Sequence, residues 1–152
     1  MNMEEHTGTI FDTLGPRPKM AELVDWRLIE LNKTEQTITI GYTAQELFAN
    51  PMGFVHGGFI VAMLDETMGS TVIGLTDAKF FSTTISLSVD FMRPVKLGAV
   101  VCAAKMTKMG KDVAFLESHL SSPQGTVLAR ATASYKLFAF DVSAIQSNMQ
   151  MP

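Results

Sequence analysis

The clearest pattern in the chain is an alternation of apolar and polar side chains over residues 81–92. Successive side chains of a β-strand point to opposite faces of a sheet, so a period of two predicts a strand with one buried face. Arg93 and Pro94 end it, because proline cannot continue the hydrogen-bonded ladder. One face of this predicted strand carries Phe81, Thr83, Ile85, Leu87, Val89 and Phe91, and the other carries Ser82, Thr84, Ser86, Ser88 and Asp90.

Five further segments are rich in β-branched and aromatic residues and are separated by turn residues, which is typical of strands. Residues 32–34 join the first two segments as a hairpin, and turns at 109–111 and 122–125 join the last three. The sequence therefore predicts six strands in total. The five further segments are 24–31, 36–43, 98–108, 112–121 and 126–138.

Residues 58–74 form one long apolar segment with helical composition. Apolar side chains lie on nearly all sides of such a helix, so it must be enclosed by other elements. An antiparallel sheet of about six strands wrapped around one long central helix satisfies both patterns, which predicts an α+β fold. The predicted organisation is an N-terminal segment with a short helix (1–22), the domain itself (23–140) and a flexible tail (141–152).

The composition indicates one domain that buries part of its surface in an oligomer. A chain of 152 residues is long enough for a core that needs neither disulfides nor metals. With 47% hydrophobic and 18% charged residues, it is more apolar than a typical soluble monomer, which favours burial of further surface between subunits. The single Cys102 excludes an internal disulfide and, without a neighbouring His or Cys, argues against a zinc cluster.

Charge and hydropathy argue against two other classes of partner. A net charge of −3 and a pI near 5.5 give no general attraction to nucleic acid. The longest unbroken apolar run, residues 59–64, is too short to span a bilayer, and residues 1–20 carry acidic side chains in place of a basic start. We therefore expect a cytoplasmic protein without nucleic-acid or membrane partners.

A glycine-flanked histidine opens the predicted helix, and a carboxylate stands within it. Residues 50–65 read N-P-M-G-F-V-H-G-G-F-I-V-A-M-L-D. Gly57 and Gly58 allow a tight turn and close approach of a ligand, and the first N–H groups of a helix lack partners and favour negative charge. Asp65 is costly to bury in so apolar a segment, and such a carboxylate is usually retained for a function.

This segment resembles the PaaI-type branch of the hotdog-fold acyl-CoA thioesterases, within the 4-hydroxybenzoyl-CoA thioesterase-like superfamily. The signature of that branch is an Asn, a Gly, the triplet His-Gly-Gly and an acidic residue nine positions after the His. The resemblance covers about residues 25–138 and implies a hotdog fold and hydrolysis of an acyl-CoA, with coenzyme A as part of the substrate and no metal or other cofactor. The matching residues are Asn50, Gly53, His56, Gly57, Gly58 and Asp65.

The resemblance also implies a role for each matching residue. The Gly57 N–H polarises the thioester oxygen, and Asn50 assists this polarisation and holds the loop. Asp65 acts either as general base on water or as a nucleophile that forms a mixed anhydride, and both roles remain open. Thr84 matches the position of a hydroxyl that orients the water, although it is also one of several small polar residues on its strand. His56 supports the loop and contacts the thioester side.

The distance between the two halves of the motif predicts a shared site. If the helix begins near Gly58, Asp65 lies about 10 Å further along its axis, too far for Gly57 and Asp65 of one chain to act on the same carbonyl carbon. Two such helices packed antiparallel about a two-fold axis would bring these groups together. We therefore expect a homodimer as the smallest active unit and a homotetramer as the assembly. Glu66 points about 100° away from Asp65 and is interpreted as solvated or ion-paired.

Further residues are candidates for contacts with the substrate. Gly58 lies beside the expected thioester, and Met68, with Met52 and Met63, is expected to line an adaptable acyl pocket. The acyl group is expected to be aryl or medium-chain, with a branched acyl group as a further alternative that the sequence leaves open. Cations near strand ends are expected to contact the coenzyme A phosphates. They are Arg93, Lys108 and Lys111, together with Lys96 and Lys105.

Two alternatives keep the fold and change the activity. An acyl-CoA hydratase or dehydratase on the same fold uses a catalytic His and Asp pair in a different motif, and no second His is placed to serve it. A non-catalytic acyl-CoA sensor has no use for a buried base, so Asp65 argues against it. A DNA-binding sensor would normally also add a basic helix-turn-helix segment.

Overall fold

The computed structural model describes residues 6–143, and residues 144–152 of the predicted tail lie outside this range. Most of its regular secondary structure consists of β-strands. The helices are α1 (Lys19–Leu23) and α2 (Gly57–Leu75), the 3₁₀ turns are Ile10–Thr13 and Glu46–Phe48, and the strands are β1 (Arg27–Asn32), β2 (Thr37–Ala44), β3 (Phe80–Phe91), β4 (Gly98–Met109), β5 (Val113–Ser121) and β6 (Val127–Ala139).

The strands form one antiparallel sheet in the order β1-β2-β4-β5-β6-β3, with β1 and β3 at its edges. Helix α2 contacts all six strands, which confirms the predicted sheet wrapped around one central helix. The predicted strand limits agree with the observed limits to within one residue, except for β1. That strand begins later than predicted because Val24 follows α1 and Asp25 adopts a left-handed φ of 53°.

The core lies between the sheet and one side of α2. The opposite side of the helix carries Gly58, Ala62 and Gly69, and a Cβ added at Gly69 would meet no atom within 4 Å. The sheet therefore covers one side of α2. By length and apolar content alone α2 would suffice to cross a bilayer, but half of that stretch is buried inside the domain. The buried positions of α2 include Ile60, Met63, Leu64, Thr67, Met68, Thr71 and Val72.

A β-bulge in β3 decides which of its side chains face α2. Thr84 pairs with Tyr135 of β6, and Ser86 pairs with the adjacent β6 residue Ser134. Two steps along β3 therefore match one step along β6. Ile85 is the extra residue, and it interrupts the ladder at this point.

The bulge shows that the predicted unbroken alternation of β3 was wrong. Cross-strand partners share a face of the sheet, so Thr84 lies on the same face as the buried Tyr135, and Val89 lies on the same face as the buried Ala131. Thr84 and Val89 are five positions apart and would occupy opposite faces of a regular strand. The extra Ile85 instead puts both on the side of α2.

The N-terminal segment covers the second half of α2. Phe11 lies against Trp26, with the ring centroids 5.1 Å apart. A Cβ added at Gly74 would lie 3.1 Å from the Phe11 ring and 3.0 Å from Leu31. The glycine therefore allows the N-terminal segment and β1 to approach the helix closely.

We expect deletion of Ile85 to leave the sheet intact, because removing the extra residue restores regular pairing without turning any other side chain over. Ile85 is 57% exposed, so the stability loss should be at most about 1–2 kcal/mol. Deletion of Ser88 is the matched control, since it would turn Val89 and Phe91 away from α2 and cost roughly 2–5 kcal/mol. Urea denaturation measures both, and equal losses would contradict the bulge.

Candidate active site

The start of α2 presents one backbone N–H without an acceptor. His56 is the N-cap residue, and its imidazole Nδ1 accepts a hydrogen bond from the Gly58 N–H at 3.0 Å. The His56 carbonyl oxygen accepts from the Phe59 N–H at 3.0 Å. Within residues 6–143 the Gly57 N–H donates to no group. It is therefore available to a ligand oxygen at the positive end of the helix dipole.

Asn50 shapes the loop that precedes this helix. Its side-chain oxygen accepts hydrogen bonds from the Met52 N–H at 2.9 Å and the Phe54 N–H at 3.1 Å. Gly53 completes the turn with a φ of 80°, a conformation that favours glycine. The Asn50 amide oxygen is thus used to hold the loop, as the sequence predicted, and its NH₂ group donates to nothing in the described part of the chain.

Asn50 and Gly57 line one cavity of about 440 Å³ together with Phe91 and Arg93. The Arg93 Nη1 donates a hydrogen bond to the Val127 carbonyl oxygen at 2.8 Å, which fixes the guanidinium at the edge of this cavity. The structure therefore brings three predicted site residues to one place. The Gly57 N–H and the Asn50 NH₂ group supply two unused hydrogen-bond donors among the described residues, and Arg93 supplies a positive charge.

The Asp65 carboxylate lies in the third turn of α2, beside β3 and β6. The Thr84 hydroxyl donates to its Oδ1 at 2.9 Å, and the Tyr135 hydroxyl donates to the same oxygen at 2.6 Å. No described residue donates to Asp65 Oδ2. Burial raises the pKa of Tyr135 well above its usual value, and the hydrogen bond to Asp65 and the charge of that residue raise it further. Tyr135 therefore keeps its proton and serves as a fixed donor.

Glu66 lies on a different side of α2 and faces the N-terminal segment. It lines a cavity of about 140 Å³ with Phe11, Leu14, Trp26 and Ser70. The sequence interpretation of a solvated or ion-paired side chain was wrong, because the residue is half-buried and forms no ion pair with any described residue. Burial raises the pKa of the Glu66 carboxyl, and the neighbouring charge of Asp65 adds to this.

Three predicted substrate contacts do not join the site within one chain. Met68 is fully buried in the core and offers no surface to a ligand. Lys108 and Lys111 lie at the β4–β5 turn, at the end of the sheet where β3 begins, whereas Arg93 follows the other end of β3. Gly58 does lie at the site, but its N–H is already bonded to His56.

Sequence reasoning missed Tyr135. The signal was present in β6, where alternate positions from Ala129 to Leu137 face inward and are otherwise apolar. A tyrosine at such a position needs a hydrogen-bond partner for its hydroxyl. That the partner is Asp65 follows only from the pairing of β3 with β6. Cys102, by contrast, lies in the core as expected, where burial raises the pKa of its thiol to about 12.

The profile of the thioesterase superfamily matches residues 52–129, slightly more than half of the chain. The chain belongs to the thioesterase superfamily. Among its relatives, acyl-coenzyme A thioesterase THEM4 of Xenopus laevis is 30% identical over 106 residues, which are 68% of this chain and 46% of that protein. The chain thus spans about half the length of this relative.

Two solved structures show the same fold. A thioesterase from Ralstonia eutropha JMP134, described as a phenylacetic acid degradation-related protein, has a TM-score of 0.78 at 26% identity and covers 85% of this chain and 99% of its own. The PaaI protein of the E. coli phenylacetic acid degradation operon has a TM-score of 0.75 at 14% identity, covering 86% of this chain and 91% of its own. The predicted PaaI-type hotdog fold is confirmed, and so is the assignment as a thioester hydrolase.

We expect Glu66→Gln to stabilise this thioesterase increasingly as the pH rises. A carboxyl with a raised pKa in the folded state holds its proton more tightly there, so folding stability falls as the pH rises from the ordinary carboxyl range through the raised pKa. The uncharged variant does not lose folding stability in this way, and its stability should equal that of the wild type at low pH.

Melting temperatures between about pH 4 and pH 8 test this expectation. The matched control is Glu117→Gln, which changes an exposed carboxylate on the other face of the sheet. A difference between Glu66→Gln and wild type that does not grow with pH would contradict it.

Proposed function

We propose that this thioesterase hydrolyses an aryl- or medium-chain acyl-CoA to the free acid and coenzyme A. The observation that carries the proposal is the Asp65 carboxylate, which two hydroxyls hold while one oxygen stays unoccupied, on the helix whose first N–H is also unoccupied. The name of the Xenopus laevis relative supports an acyl-CoA substrate. Family membership favours hydrolysis over the hydratase and sensor alternatives.

The proposed site is shared between two subunits. Gly57 and Asp65 lie on one helix about 12 Å apart along its axis, so one chain cannot supply both groups to the same thioester. The side of α2 that the sheet leaves uncovered carries the small residues Gly58, Ala62 and Gly69. Small side chains let a second helix approach closely. An antiparallel pair would place Gly57 of one subunit near Asp65 of the other. The homodimer is thus the proposed active unit, and the homotetramer stays a prediction.

The edge of the sheet offers a second surface for the same dimer. Strand β3 is twelve residues long and, among residues 6–143, has no neighbour on its outer side. Phe81, Ile85 and Phe91 are each about half exposed. A long apolar edge strand is an aggregation risk unless something covers it. A second copy of the chain would remove this risk and complete the site at once.

The proposed mechanism uses one half-site from each subunit. The Gly57 N–H and the Asn50 NH₂ group stabilise the negative charge that develops on the thioester oxygen. Asp65 of the other subunit acts through its Oδ2, either removing a proton from the attacking water or attacking the carbonyl itself. In the first route the water oxygen bonds to the carbonyl carbon, the C–S bond breaks, and the proton passes from Asp65 to the departing thiolate. In the second route Oδ2 bonds to the carbonyl carbon as the C–S bond breaks, and water then hydrolyses the mixed anhydride, which frees Asp65 and supplies the proton for the thiolate. His56 has its Nδ1 engaged as a hydrogen-bond acceptor from Gly58, so it serves the helix cap.

The coenzyme A part of the substrate needs cations for its phosphates. Arg93 lies at the cavity that Asn50 and Gly57 line. In an antiparallel dimer the β4–β5 turn of the second copy, with Lys108 and Lys111, would lie toward the same end as Arg93. These contacts stay predictions. The proposed reaction consumes only water and the acyl-CoA, without a metal or another cofactor.

We expect Asp65→Asn to remove the activity and keep the fold. The amide oxygen can accept the hydrogen bonds of Thr84 and Tyr135, which leaves an NH₂ group where the free Oδ2 stood. An amide cannot take a proton from water, so kcat should fall roughly 10²–10⁴-fold. Release of free thiol from a panel of aryl- and alkyl-CoA thioesters measures it. Glu117→Gln, at an exposed carboxylate on β5, is the control, and an Asp65→Asn variant that keeps its kcat would contradict the role.

We expect mixed dimers of two inactive variants to recover activity. In a dimer of Asp65→Asn with Asn50→Ala, one of the two sites combines an intact Asn50 with an intact Asp65. Random assembly should then restore about a quarter of wild-type activity. Thiol release after co-expression measures this, with a mixture of the separately purified variants as the control. If both variants are inactive alone and co-expression restores nothing, the site is not shared between subunits.

A further inference from the structure

We propose that Tyr135 is a positioning residue, which together with Thr84 fixes the Asp65 carboxylate so that Oδ2 is the reacting oxygen. This inference rests on the proposed function and deepens it. Tyr135 contacts Asp65 directly but is not itself placed to touch the substrate, since it is only 2% exposed. It therefore acts through Asp65.

Two hydrogen bonds occupy one oxygen of the Asp65 carboxylate. Tyr135 and Thr84 are directly opposite each other on adjacent strands, and their hydroxyls converge on Asp65 Oδ1 at 2.6 Å and 2.9 Å. A carboxylate oxygen has two lone pairs, and these two donors occupy both. Oδ2 is then the oxygen that can receive a proton or attack a carbonyl carbon.

Fixation matters because the terminal torsion of an aspartate is broad. A free carboxylate rotates over a wide range and exchanges its two oxygens. Two donors on one oxygen remove this freedom before the substrate arrives. Errors of about 1 Å in the position of a reacting group can cost about 100-fold in rate. Loss of the Tyr135 hydroxyl should therefore lower kcat more than it changes KM.

The bulge at Ile85 is part of this arrangement. It lets the Thr84 hydroxyl point toward α2 while Val89, further along β3, also faces the helix. A regular strand would turn one of the two away. The bulge thus keeps the second donor to Asp65 in place despite the extra residue in β3, whereas Tyr135 comes from the uninterrupted part of β6.

The deciding experiment compares Tyr135→Phe with Tyr42→Phe. Tyr42 is a matched control because it is also fully buried, and its hydroxyl is hydrogen-bonded to Thr67 of the same helix at 2.8 Å. Both variants remove one buried hydroxyl that bonds to α2, and only Tyr135 bonds to Asp65. We expect similar decreases in melting temperature for the two variants.

The expected difference lies in the kinetics. For Tyr135→Phe we expect kcat to fall about 10–100-fold with KM changed by less than about twofold, whereas Tyr42→Phe should keep kcat within about twofold. Should Tyr135→Phe not fold, the exposed Thr84 provides the second test. Thr84→Val should lower kcat in the same way, and Thr84→Ser should recover most of the loss.

The outcomes separate this inference from the proposed function. If Tyr135→Phe keeps the wild-type kcat, or loses no more kcat than Tyr42→Phe, then the positioning role is wrong. The same holds if Tyr135→Phe does not fold and Thr84→Val keeps its kcat. If Asp65→Asn retains activity, the proposed role of Asp65 itself fails. An inactive Asp65→Asn beside a fully active Tyr135→Phe would overturn only the inference made here.

Discussion

The hydrogen bonds that hold Asp65 are the interaction on which the candidate site depends. A carboxylate inside an apolar helix is costly to bury unless donors meet it. Thr84 and Tyr135 meet it from neighbouring strands, and both bond to one oxygen. This requires β3 to lie beside β6 with α2 across both, and it requires the bulge to take up the extra residue Ile85 without turning Thr84 away from α2. The sheet order and the proposed chemistry are thus linked through one side chain.

The start of α2 shows the complementary arrangement. There His56 satisfies the N–H groups of Gly58 and Phe59 and leaves that of Gly57 open. The helix therefore offers an unused donor at one end and a carboxylate with an unused oxygen farther along. Under the proposed dimer, two antiparallel helices combine these groups into two equivalent sites. The uncovered glycine side of α2 and the unpaired edge of β3 would then be interface surfaces.

Much of the fold could be predicted from the sequence because its patterns are local. The period of two and the turn residues located five of the six strands to within one residue, and the long apolar segment located α2. Two local predictions were wrong for non-local reasons. The alternation in β3 contains a bulge that only its pairing with β6 reveals. Glu66 was expected to be solvated or ion-paired, but it is half-buried under the N-terminal segment and forms no ion pair with a described residue.

The sequence by itself determined the order of the elements and the placement of Gly57 and Asp65 on one helix, because spacing along a regular helix fixes their separation. It also determined that one chain cannot bring these two groups to the same carbon. Only the tertiary structure decided which oxygen of Asp65 is free and which side chains hold it. Thr84 and Tyr135 are far apart in the chain and meet through strand register. Register depends on the bulge and on the whole sheet, so no local pattern encodes it.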